Sequence, residues 1–317
     1  MKNTLKLNNW NFTLWIFDFD GNILKTDTPV YFQNKQTWEI EAFQGHFVDQ
    51  NISKFYWENS LYKEVEYTYS EFKDVFSQKS EHRWFDWMFF DVQNAVKENN
   101  FAPSFEAFKD MYLVWARVFA ILTARGNSAD NFQRAFTYIN ENILSEQEKE
   151  KQFQNIKNNF NLSENISRQE ALYHYFWNII NYIPCQNLQI SKLLWFEKTM
   201  SSADRKAEMI EFLVKYFISL LENIYKKNIS EILENWESIS VWFSDDSDKN
   251  IIAAYRKMRN ILDENKICPE INKKFSLYFT WQSELYPDLI TKLGNKSNFR
   301  TTVKKDWLKI KLEKLTS

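Results

Sequence analysis

An α/β fold, with an open parallel sheet flanked by helices, is predicted by three features of the sequence. Short apolar runs stop abruptly at polar or acidic residues: FTLWIF (12–17) before Asp18, RVFAIL (117–122) before Thr123, and ISVWF (239–243) shortly before Asp245. Each run is apolar almost throughout, the pattern of a strand buried on both faces. Helical periodicity follows the second and third runs, and alternation of strand and helix places a ligand at the carboxyl ends of the strands.

The elements follow in order along the chain. After the first run comes DFDGN (18–22), a turn with two acids and a glycine. Residues 25–111 are rich in Phe, Tyr, Glu and Lys and poor in glycine, and are read as a mostly helical cap or insert. The second run leads through ARGNSAD (124–130), which supplies loop and cap residues, into the helical spacing of FQRAFTYI (132–139). Residues 130–200 are polar and helical in pattern, and are read either as part of the core or as an additional helical insert. Within them SEQEKEK (145–151) reads as a solvated helix face. SADRKAEMIEFL (202–213) carries a helix cap and then an apolar stripe, and NIIAAYRKMRNIL (250–262) is amphipathic. The catalytic core is therefore expected over 10–24 and 112–290. Residues 291–317, with KKDWLKIKLEK at 304–314, are read as a basic C-terminal helix or tail.

Composition excludes some classes of function. The chain of 317 residues has a formal net charge of −2, which argues against whole-surface attraction to nucleic acid or anionic membrane. Its first residues lack a signal-like apolar core, and no later run is long and apolar enough to span a bilayer, so a cytoplasmic protein without membrane contact is expected. Cys185 and Cys268 are far apart and outside metal-like spacing, which predicts two reduced thiols.

The chemistry concentrates at the strand ends. Asp18 and Asp20 in D-x-D-G project from one loop, and Gly21 lets the backbone turn sharply beneath a ligand. Thr123-Ala-Arg-Gly126 offers a hydroxyl and free amides ahead of a helix, which suits an anion. Asp245 and Asp246 are adjacent like charges, costly near a core unless a cation joins them. Three strand ends bearing acid, hydroxyl and acid pair form a stronger signal than any one alone.

Taken in order, FDFDG, ILTARG and FSDDSDKN resemble the first, second and fourth motifs of the haloacid dehalogenase (HAD) superfamily of phosphatases. The resemblance covers about a quarter of the chain. It implies a Rossmann-like core and Mg²⁺-dependent hydrolysis of a phosphomonoester through an aspartyl-phosphate. It also implies Asp18 as nucleophile, Asp20 as general acid and base, and Thr123 as a phosphoryl ligand. Asp18, Asp20, Asp245 and Asp246 would surround the metal; Thr123, Ala124, Arg125 and Lys206 would hold the phosphate. Lys206, about 39 residues before Asp245, is the first choice for the lysine of the third motif, with Arg205, Lys198 and Lys192 as alternatives. Asn22 departs from the usual Thr or Val. Asp248 and Lys249 are expected in the turn, and Asn250 opens the next helix. A phosphorylated small molecule is the expected substrate. The alternatives are a nucleic-acid end-processing phosphatase, using the aromatic insert and basic tail, and a HAD-like binding or regulatory protein with weak turnover.

His46, His82 and His174 share no metal spacing, and the aromatic stripe WFDWMFF (84–90) is read as packing rather than a base-stacking surface. One count is abnormal. Average usage would give roughly 22 glycines in a chain of this length, whereas there are 4, beside 13 tryptophans. Trp38, Trp115 and Trp242 sit where a small residue is easier to place. Some of the thirteen, with these three as candidates, are read as glycines of the living protein, written by a stop-type codon that another genetic code translates as tryptophan; the alternative is true tryptophans in a chain from an AT-rich genome that avoids glycine codons.

Overall fold

A computed structural model describes residues 12–72, 87–160, 162–178, 181–197, 200–234, 239–263, 275–280, 299–304 and 309–314. Ten strands occur among them: β1 (Phe12–Phe17), β2 (Pro29–Asn34), β3 (Ile40–Gln44), β4 (Tyr62–Glu64), β5 (Phe119–Thr123), β6 (Asn181–Pro184), β7 (Ile239–Ser244), β8 (Phe275–Thr280), β9 (Phe299–Lys304) and β10 (Lys309–Lys314). The main sheet is seven-stranded, in the order β6-β5-β1-β7-β8-β10-β9. Pairing is parallel from β6 through β8, and β10 is antiparallel to both β8 and β9. The expected α/β architecture is therefore present.

The order of strands explains where a site can form. The chain leaves β1, returns as β5 on one side, and later crosses to β7 on the other. A crevice opens at the carboxyl ends where such a sheet changes direction. β5 is buried at every position, and in β7 only Trp242 keeps partial exposure. Helices cover the sheet with the periodicity read from sequence. Helix 129–143 buries Phe132, Ala135, Phe136 and Ile139, and helix 248–263 buries Ile251, Ala254, Tyr255 and Met258. The latter packs against helix 202–225, which buries Ile210, Leu213, Val214 and Phe217. These faces bring side chains three and four apart onto one stripe.

The run 145–151 does lie on a helix, Glu146–Phe160. Ser145 and Glu148 cap its start reciprocally, Ser145 N–H donating to Glu148 at 2.8 Å and Glu148 N–H to Ser145 Oγ at 3.3 Å. Its opposite face buries Ile156 and Phe160 in the main core, which Ala171 and Tyr175 also join. β6 pairs with β5 in the main sheet.

Two expectations are corrected. The segment 25–111, expected as mostly helical, carries beside its helices a separate antiparallel sheet in the order β3-β2-β4. In PVYFQN alternate residues are buried, and Val30 and Phe32 join Val48 and Phe55 in a second small core. That period of two was hidden among aromatics that also suit helices. The C-terminal segment, expected as a helix or tail, carries β9 and β10. Over KIKLE (309–313) charged and apolar residues alternate, as in a strand.

The three singled-out tryptophans differ in backbone. Trp38 has φ 61°, in the left-handed region. Trp115 is right-handed at φ −87°, and the left-handed residue is the next one, Ala116, at φ 49°. Trp242 lies in β7 with its ring stacked on Trp15 of β1, centroids 4.7 Å apart, so nothing in the backbone there asks for glycine. Cys185 is a free, buried thiol pushed up to about 12, chiefly by burial. Cys268 and His82 lie outside the described residues, as do residues 84–86 of the aromatic stripe, and nothing is described of the His46 side chain. Within the stripe, Met88 is buried and Phe89 meets Tyr138 edge-on at 5.6 Å. No helix among the described residues is long and apolar enough to cross a membrane.

Candidate active site

Asp18 follows β1 directly, Thr123 ends β5, and Asp245 follows β7. Because β5, β1 and β7 are neighbours in the sheet, their ends meet in one crevice. Asp18 N–H donates to the Ser244 carbonyl at 2.9 Å, which ties the first loop to the third. Asn22 strengthens that tie. Its amide donates to the Asp18 carbonyl at 3.2 Å and to the Ser244 carbonyl at 3.0 Å, while its oxygen accepts from Ser104 at 2.8 Å and Ser244 Oγ at 2.9 Å. The departure from Thr or Val thus has a structural use.

Three carboxylates converge there. Asp18, Asp245 and Asp246 each present an oxygen, and these oxygens lie within 4.8 Å of one another. Lys206 enters from helix 202–225, whose first turn is capped by Ser201 accepting from Asp204 N–H at 3.1 Å. Lys206 Nζ lies 2.8 Å from Asp18 Oδ1 and 2.7 Å from Asp245 Oδ2, with only 1% of the side chain exposed. Burial opposes charge on Lys206, yet Asp18 and Asp245 hold its pKa above the ordinary lysine value. Burial pushes Asp18 well above the usual carboxylate range; Lys206 pulls the other way, and the charges of Asp245 and Asp246 add to the rise. Asp245 is further fixed by Ser247 N–H and Asn250 Nδ2, each at 2.9 Å.

Among the alternatives to Lys206, Arg205 is occupied elsewhere. It donates to the carbonyls of Met200, Cys185 and Glu197 and to Ser191 Oγ. Lys192 is exposed, and Lys198 lies outside the described residues. His174 is half-buried on helix 168–178, and burial lowers its pKa.

Asp20, expected among the metal-binding carboxylates, does not join the group of three. Arg125 holds it instead, Nε donating to Oδ2 and Nη2 to Oδ1, both at 2.8 Å. Thr26 Oγ1 also donates to Oδ1, at 2.5 Å. Arg125 is fully buried and lies over the Phe72 ring at 4.9 Å. Its Nη2 reaches Thr28 Oγ1 at 2.5 Å and Asp91 Oδ2 at 3.2 Å as well. Burial works against charge on Arg125, but Asp20 and then Asp91 outweigh it and raise its pKa. Thr123 is buried and its Oγ1 accepts from Arg125 N–H at 3.1 Å, whereas Ala124 is exposed. Sequence reasoning missed Thr26, Thr28 and Asp91. The available signal for Asp91 was a single acid among the apolar residues Met88, Val92, Ala95 and Val96 of helix 87–97.

Gly21 is required twice over. Its φ is +71°, and a Cβ built there would stand 2.1 Å from Asp246 Oδ2. Comparisons with protein-family models, with curated proteins and with solved structures find no match.

Two outcomes follow from this geometry. Gly21→Ala is expected to destabilise the protein by about 1–2 kcal/mol from the left-handed backbone alone, with a further loss as Asp246 is displaced; urea unfolding of the two chains measures it. Asp91 is pushed up to about 6 by burial, which outweighs the opposing pull of Arg125 and Thr28. Its folded pKa thus lies above its unfolded value, so its contribution to stability is complete below about pH 4 and lost as pH rises towards 6. Unfolding midpoints of wild type and Asp91→Asn across that window should differ in slope, with the fall attributable to Asp91 on the order of 2–3 kcal/mol. Parallel curves would contradict this.

Proposed function

We propose that the chain is a phosphatase of the HAD kind, which hydrolyses a phosphomonoester with Asp18 as the nucleophile. The observation that carries this reading is Lys206 between Asp18 and Asp245, within a group of three carboxylates. One ammonium leaves that group with a surplus of negative charge. An all-oxygen donor set with surplus negative charge fits a hard divalent cation such as Mg²⁺.

Asp18, Asp245 and Asp246 would hold the cation. When bound, it would neutralise repulsion between the Asp18 carboxylate and an anionic phosphate and polarise the phosphoryl oxygens. Asp18 then attacks phosphorus, forming an oxygen–phosphorus bond as the bond to the leaving oxygen breaks. Asp20 donates its proton to that leaving oxygen. In the second half it takes a proton from the water that attacks the aspartyl-phosphate, so Asp18 is regenerated and inorganic phosphate released. Lys206 keeps the Asp18 carboxylate oriented and balances charge. In this reading Thr123, at the end of β5, would help to receive the phosphoryl group.

A screen of nucleotides, sugar phosphates and phosphorylated oligonucleotides with Mg²⁺ tests the reading. Turnover of at least one phosphomonoester is expected, with loss of activity by about 10⁴-fold or more in Asp18→Asn, because the covalent route is then closed. Activity that survives the substitution would overturn the mechanism. Selective, strongly salt-dependent turnover of the oligonucleotides would move the reading to nucleic-acid ends.

A further inference from the structure

Arg125 is one buried cation facing two carboxylates. Asp20 takes it with both oxygens and Asp91 with one, while Nη1 has no hydrogen-bond partner among the described residues. If Asp20 moves proton to and from substrate, it must leave Arg125, and a buried guanidinium left alone is strongly disfavoured. Asp91 removes that obstacle. It lies on helix 87–97, well away in sequence from both partners, and Thr28 bridges it to Arg125 by donating to Asp91 Oδ2 at 2.5 Å. We propose that Asp91 is a positioning residue: it keeps Arg125 neutralised and in place, so that Asp20 is free to turn from Arg125 to the substrate.

This inference rests on the phosphatase reading for its kinetic consequence, but not for its electrostatic one. Sharing of one cation predicts strong non-additivity in unfolding. Asp20→Asn and Asp91→Asn each leave a carboxylate on Arg125, whereas the double variant leaves none. The change in Tm of the double variant should be more negative than the sum of the two single changes by at least about 2–4 °C. Simple additivity would overturn the proposal, whether or not any substrate is found. With a substrate in hand, Asp91→Asn should lower kcat by roughly tenfold or more with little change in KM, and Asp91→Glu should recover part of it. Unchanged kcat would overturn the kinetic role, and absence of any wild-type turnover would instead count against the phosphatase reading.

A separate observation concerns the tryptophans. Among the described residues, five other than glycine have positive φ, and two of these are Trp38 at 61° and Trp195 at 56°. A bulky side chain is disfavoured in that region, where glycine is the default. Both are also poorly packed, with Trp38 67% and Trp195 90% exposed. Trp38 closes the β2–β3 turn, its N–H donating to the Asn34 carbonyl at 2.9 Å, and Trp195 follows helix 188–193, where a left-handed glycine commonly ends a helix. Together with 4 glycines against 13 tryptophans, this geometry assigns glycine to positions 38 and 195 of the protein as its own cell makes it, through a codon translated here as tryptophan.

Mass spectrometry of peptides from the native source should find glycine at both positions, and the gene should carry a codon there other than the ordinary tryptophan codon. Tryptophan at both positions would overturn the assignment. In recombinant protein, Trp38→Gly and Trp195→Gly should each raise Tm by roughly 2–4 °C, while Trp15→Gly, which removes a ring stacked on Trp242, should lower it. A fall in Tm for the first two variants would also count against the assignment.

Discussion

Lys206 brings one positive charge to a place where Asp18 and Asp245 bring two negative ones, and almost no water reaches any of the three. Three charges in such a position hold only while they hold one another, because removal of one partner leaves an uncompensated charge in low dielectric. The rest of the architecture serves this contact. The switch of chain direction around β1 puts Asp18 and Asp245 at adjacent strand ends, and the capped start of helix 202–225 sets Lys206 between them. Asn22 and Ser244 lock the two loops so that neither acid can drift. The cluster is therefore both a constraint on folding and the basis of the proposed chemistry.

A second ionic group lies beside it and differs in kind. Around Lys206 the carboxylates exceed the cation, and the surplus suits a metal. Around Arg125 the carboxylates come from two distant segments, Asp20 in the first loop and Asp91 on helix 87–97. This connection passes through Phe72 as well, whose carbonyl accepts from Gly126 N–H at 2.7 Å and whose ring lies against Arg125. The segment between β1 and β5 is thus fastened to the strand-end crevice by charge, by a backbone hydrogen bond and by a ring contact.

Much of the core was legible because its signals are local. FTLWIF matches β1 residue for residue, and the runs at 117–122 and 239–243 fall within a few residues of β5 and β7. Lys206 was legible because a cap, a lysine and an apolar stripe share one short segment. What was missed depends on partners far along the chain. β6 is four residues long and includes a proline, too little for a pattern to be read. The sheet β3-β2-β4 is rich in aromatic residues that fit either periodicity, and only pairing across the turn decides between them. Asp91 and Thr28 look like ordinary residues of a helix and a loop until folding brings Arg125, 34 and 97 residues away, against them. The aspartate pair of the D-x-D loop was read as one metal site; in the fold Asp18 and Asp20 face different cations.

The proposed chemistry requires that Asp18, Asp245 and Asp246 form a divalent-cation site. Calorimetric titration of Mg²⁺ into the full chain, followed by a crystal structure with Mn²⁺ and its anomalous signal, addresses that claim without reference to any substrate. The expected result is binding of one ion per chain, located among Asp18, Asp245 and Asp246, and abolished in Asp246→Asn. An ion bound elsewhere, or no binding at millimolar Mg²⁺, would contradict it.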